Sequence, residues 1–60
     1  MKFENYMGNV GKELIKKIYS IAYSLHATRI IVHKVKYNKY AIIDLFENND
    51  AICYDYVVSL

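Results

Sequence analysis

Cys53, His33 and Asp44 are the residues whose types could together carry chemistry in this chain. A thiol, an imidazole and a carboxylate form a nucleophile, a base and an orienting group when they stand in that order. The register written out below sets them in one row across three neighbouring strands, with Asp44 in the middle. A catalytic histidine must instead bridge thiol and carboxylate. On the outer strands His33 and Cys53 would stand roughly 9–10 Å apart at their backbones. No glycine-rich loop or helix N-terminus accompanies them as an oxyanion site. The row is therefore read as a His33–Asp44 cross-strand pair, worth about 0.2–1 kcal/mol, beside a buried thiol. No catalytic residue is assigned and no enzyme is expected. Metal donors are equally sparse. No CxxC or HxxxH spacing occurs, and the row would offer zinc three ligands where a structural site uses four. No metal or cofactor is expected. His26 follows the helix described below, where a protonated imidazole interacts favourably with the helix dipole. It is read as structural.

Two surfaces are better suited to binding than to catalysis. On a helix at 100° per residue, Lys12, Lys16, Tyr19 and Tyr23 gather into one basic and aromatic stripe, away from the apolar side. Such a stripe could stack on bases and neutralise phosphate, or meet a protein, since tyrosine is frequent at interface hot spots. Lys34, Lys36, Lys39 and Arg29 add charge further along the chain. No RNA-binding sheet motif, GXXG loop or helix-turn-helix pattern is present to sharpen a nucleic-acid reading.

The elements that must position these residues follow from periodicity. Leu14, Ile15, Ile18, Ile21, Ala22 and Leu25 fall within an arc about 120° wide, the pattern of a helix lying on a sheet. Asn9 is a plausible N-cap. Phe3, Met7 and Val10 extend the same face, so the helix begins either near Phe3 or after the glycines Gly8 and Gly11. From Arg29 the period becomes two. Strands are expected at 29–37, 40–47 and 51–58, joined by two-residue turns at Asn38-Lys39 and Asn48-Asn49. The expected fold class is α+β, one domain over 1–60: an N-terminal amphipathic helix packed on a three-stranded antiparallel meander (αβββ). In topology alone this order resembles a double-stranded-RNA-binding domain without its last helix. None of that family's loop motifs is present, and no residue role is carried over.

These turns pair Tyr37 with Tyr40, Val35 with Ile42, His33 with Asp44 and Ile31 with Phe46 on one side of the sheet. Asp44 faces Cys53 across the next turn. The other side holds Ala41, Ile43 and Leu45 with Ile52, Tyr54, Tyr56 and Val58. That side is the more apolar and takes the helix. One helix covers one side, so Ile31, Val35, Tyr37, Tyr40, Ile42 and Phe46 are left as an apolar face. A soluble monomer rarely exposes such a patch. This face, or an exposed edge strand, is expected to form a homodimer or dock a partner.

Size and composition agree. Sixty residues bury only about 60% of the unfolded surface, and small domains commonly need a staple. A lone cysteine excludes an internal disulfide, which leaves self-association. With 55% hydrophobic residues and no proline, the chain is too apolar for a disordered tail. The first residues hold no apolar signal region, and no run approaches the roughly 20 apolar residues of a membrane span. No membrane partner is expected. A single cysteine suits a reducing cytoplasm, a host's if the chain is phage-encoded. Ile, Lys, Tyr and Asn, all with AT-rich codons, make up 27 of 60 residues, as in an AT-rich bacterial or phage genome. Residues 1–40 carry net +6 and residues 41–60 net −4. Opposite charge either draws the two segments together or leaves a basic and an acidic side. The resulting expectation is a small protein-binding module from a phage or mobile element. It would inhibit a host complex in the anti-defence (anti-CRISPR) manner, by stoichiometric binding as a homodimer. The alternative is a small nucleic-acid-binding protein using the Lys/Tyr stripe and the lysines of residues 29–39.

Overall fold

The computed structural model describes residues 1–6 and 8–60. It contains β1 (Lys2–Asn5), α1 (Lys12–Ser24), β2 (Arg29–Lys36), β3 (Tyr40–Glu47) and β4 (Ile52–Ser59). The strands form one sheet in the order β1-β2-β3-β4. β2, β3 and β4 are antiparallel neighbours, while β1 runs parallel to β2. A parallel pair needs a crossover, and α1 supplies it.

This corrects the expected fold. The helix is not N-terminal: a strand precedes it, and the sheet is a mixed four-stranded one. The added parallel strand also ends the topological resemblance to the RNA-binding domain. Phe3 shares the helical phase of α1 because it packs against the same core, not because it is helical. Gly8, at φ 102, turns the chain in a conformation that side-chain-bearing residues avoid. Met7 lies outside the described residues. The N-cap is Gly11 rather than Asn9, and it has no side-chain cap.

α1 ends in a Schellman motif. Ala27 N–H donates to the Ala22 carbonyl at 2.9 Å and His26 N–H to that of Tyr23 at 3.2 Å. His26, at φ 54, occupies the left-handed position where glycine is usual.

The core lies between α1 and one side of the sheet. Leu14, Ile18 and Ala22 of the helix meet Ile30, Val32, Ala41, Ile43, Leu45 and Val58, all buried. Each large side chain so buried contributes roughly 1.5–3 kcal/mol. Phe3, Val35 and Tyr56 pack at its margin.

The register differs from expectation in two places. The first connection is three residues long, with Tyr37 and Asn38 left-handed at φ 53 and 52. Lys36 pairs with Tyr40, Val35 with Ala41 and Lys34 with Ile42. A bulge between Val32 and Lys34 then shifts the pairing, and Val32 meets Ile43. The bulge turns Val35 to the helix side and Lys34 and Lys36 to the open side. Without it, two ammonium groups would lie under α1, at a large desolvation cost. The second connection holds four residues. Asn48, Asn49 and Asp50 are all left-handed, at φ 57, 55 and 69. Asn and Asp tolerate that region better than other side-chain-bearing residues. Asp44 therefore faces Asp55 rather than Cys53. The shift here is two residues, so the two sides of β4 stay as expected.

Candidate functional site

β4 is one of the two outer strands of the sheet and the most open of its strands. Its eight residues pair with β3 without interruption. β-Branched and aromatic residues dominate it, and Asp55 is its sole charge. Exposed edges are normally blunted by lysine, proline, bulges or short length, and β4 has none of these. α1 covers β4 at Tyr56 and Val58 but leaves Ile52 and Tyr54 partly exposed. On the other side Val57 is 70% exposed, beside Ile42 at 37%. Leu60 follows, also exposed.

The open side of the sheet is less apolar than the sequence suggests. Of the six residues assigned to it, Ile31 is buried and Val35 packs against the helix core. Tyr37 is 81% exposed, but in the turn. Tyr40 and Phe46 are half-buried, and Ile42 remains. The Arg29 guanidinium lies 4.3 Å above the Phe46 ring. It also reaches Asp50 at 3.4 Å and Glu4 at 4.0 Å. Glu4 accepts a hydrogen bond from the Tyr6 hydroxyl at 2.8 Å and pairs with Lys2 at 3.8 Å. β1 and its flanks are thus laced with charge.

A polar cluster occupies the middle of this side. The His33 imidazole touches the Asp44 carboxylate, as the sequence suggests, although His33 is the residue at the bulge. Asp44 also meets Asp55 across the strands. The hydrogen bond with Asp44, then its charge, pushes the Asp55 carboxyl above its ordinary value. Partial burial alone would raise Asp44 too, but hydrogen bonds from Asp55 and His33 and the nearby imidazole charge hold it below. The opposite directions describe two carboxyl groups in contact, of which Asp55 holds its proton to the higher pH. The Cys53 thiol is exposed, not buried as expected, because β4 is an edge strand and Cys53 lies on its open side. Desolvation, then the charges of Asp44 and Asp55, raises its pKa. A protonated thiol is a poor nucleophile, and Asp44 stands between His33 and the other side chains. Asp44, Cys53 and Asp55 hold one donor atom each within 4.8 Å of one another. They could hold a metal ion weakly, one ligand short of a structural zinc site. Asp55 is the member of this group that sequence reasoning missed. Three consecutive residues at ease in the left-handed region, Asn48, Asn49 and Asp50, were the available signal for the longer loop that places it.

The helical stripe is divided. Lys12, Lys16 and Tyr23 are exposed. Tyr19 packs against the core, with its ring centroid 5.7 Å from that of Phe3 and 6.4 Å from that of Tyr23. The start of α1 meets the β2–β3 turn instead: Gly11 N–H donates to Asn38 Oδ1 at 3.0 Å. That contact sets the start of α1, with Lys12 the next residue, against the β2–β3 turn. No described helix is long and apolar enough to cross a membrane. The described residues enclose no pocket, so the surfaces on offer are faces and edges. Comparison with protein-family models, with curated proteins and with solved structures finds no match.

Proposed function

We propose that this chain is a small protein-binding module that pairs through β4, with a second copy of itself as the first occupant. The observation that carries this is β4 itself, a long, regular edge strand with a single charge and apolar side chains exposed on both sides. Strand addition to such an edge draws affinity from main-chain hydrogen bonds and specificity from alternate side chains.

A two-fold axis perpendicular to the sheet and passing through Tyr56 gives a specific register. Tyr56 would meet its own copy, Tyr54 would meet Val58, Ile52 would meet Leu60, and Asp55 would meet Val57. Each exposed apolar residue of the strand gains a partner, and the two Asp55 carboxylates are kept apart. Both helices lie on the same side of an eight-stranded sheet. The interface is isologous, as a two-fold pair requires.

The same register sets Cys53 opposite Ser59 of the copy. Directly opposed residues in antiparallel strands have Cα atoms about 4.5–5.5 Å apart, within disulfide reach. Mild oxidation of a Ser59→Cys variant should therefore give a covalent dimer in high yield, with the unmodified chain as control. Light scattering of the native chain at high concentration tests the pair directly. A strict monomer would sink self-pairing and leave β4 for a strand of another protein.

The narrower reading is a phage or mobile-element inhibitor of a host defence complex. It is supported by small size and by the weight of AT-rich codons. It predicts that expressing the chain relieves defence in a host cell, and that blocking β4 abolishes the relief.

A further inference from the structure

We infer that the tip formed by the β2–β3 turn and the start of α1 is a contact surface for single-stranded nucleic acid, separate from β4. Lys34, Lys36 and Lys39 belong to this hairpin end, and Lys12 is held beside it by the bond from Gly11 to Asn38. All four lysines are exposed. None lies within 4.0 Å of a carboxylate among the described residues, where the ion pairs gather instead on Glu4, Asp44 and Asp50. The neighbouring acid along the chain is Glu13. On the helix it sits about 100° round from Lys12.

An aromatic ring stands beside this charge. Tyr37 is 81% exposed, and the Lys36 ammonium lies 5.8 Å from its ring centroid. Its backbone is left-handed at φ 53. A bulky residue is an outlier there. Glycine would relieve the strain, so fold stability does not account for a tyrosine at this position. An exposed ring set among unpaired ammonium groups is what a single strand uses: bases stack on the ring while the lysines track the phosphates. The bulge matters here as well, because it turns Lys34 and Lys36 to the open side of the sheet, away from the core.

The test uses the whole chain and a fluorescent oligothymidylate, with an RNA of the same length, followed by anisotropy at rising salt. Binding should weaken linearly on a log–log plot, and Lys36→Ala or Lys39→Ala should each reduce the slope by about 0.7. Tyr37→Gly suits the left-handed turn and so keeps the fold. It should weaken binding roughly 5- to 150-fold and leave the slope unchanged. Three results would overturn the inference. The first is no anisotropy change at low salt. The second is loss of binding through Lys16→Ala and Tyr23→Ala while the tip variants bind normally. The third is Tyr37→Gly binding normally while heparin or anionic vesicles compete as well as the oligonucleotide, which marks a general polyanion surface.

Discussion

The two edges of this sheet are built by opposite rules. β1 is four residues long, carries Lys2 and Glu4, and is tied by Glu4 to Arg29 and Tyr6. β4 is twice as long, regular, and charged only at Asp55. Natural edges resemble β1, because an unpaired backbone row invites other chains. An edge like β4 is a liability unless something pairs with it. The contrast is the ground on which a partner is proposed at β4. Charged residues thus gather at one edge of the sheet and apolar ones at the other.

The largest effect tests what the edges share. Ile43 is fully buried in β3, and Ile43→Ala should cost about 2–5 kcal/mol. A sixty-residue domain has roughly 3–9 kcal/mol in total. Urea denaturation should therefore show both edges lost together, with much of the chain unfolded in water. Next come the edges themselves. Phe3→Ala removes the β1 side chain that packs against the core and Tyr19, and should cost about 1–3 kcal/mol. Ile52→Ala, at the exposed end of β4, should cost under about 1 kcal/mol. Equal costs would break the contrast.

Val57→Lys makes β4 resemble an ordinary blunted edge. Stability of the isolated chain should move by less than about 0.5 kcal/mol. Self-association, followed by sedimentation, should weaken at least about tenfold, and an unchanged association constant would detach β4 from the interface.

The smallest effect concerns Asp55. Its folded pKa is raised, so its contribution to stability is full below the unfolded value and is lost as pH rises through the folded one. Asp44 is depressed and behaves oppositely, losing its contribution as pH falls. Asp55→Asn keeps a hydrogen-bond donor and removes the repulsion of two ionised carboxylates. Thermal midpoints should rise slightly at neutral pH and converge with the native chain at low pH. A fall at neutral pH would contradict repulsion between the two carboxylates.

Much of this architecture can be read from residue order. Leu14, Ile18 and Ala22 mark the buried helix face, and the alternation from Arg29 onward marks three strands close to their observed limits. The helix-covered sides of β3 and β4 are also legible, because the slip at Asn48–Ala51 is an even number of residues. β1 is not legible. Four residues carry too little alternation, and Phe3 keeps helical phase with α1 by packing on the same core. The bulge is hidden for a different reason. Ile30, Val32 and Val35 break alternation by one residue, and only the cost of burying Lys34 and Lys36 decides that the strand continues past the break. Of the site residues, the His33–Asp44 contact follows from the sequence, whereas the Asp44–Asp55 pair and the meeting of Gly11 with Asn38 depend on loop lengths that residue types set weakly.

The short parallel strand has a consequence for valency. β1 covers the Arg29–Val32 half of β2 and leaves β4 as the long uncovered edge of the sheet. Two such molecules joined at β4, as proposed, would leave the short, charged β1 edges outermost, and growth would stop at the pair. A chain without its first six residues would present two open ends, and each added copy would offer another. On the proposed pairing β1 would act as a chain terminator, separating a closed dimer from a fibre, and a few residues far from β4 would determine how many copies can join.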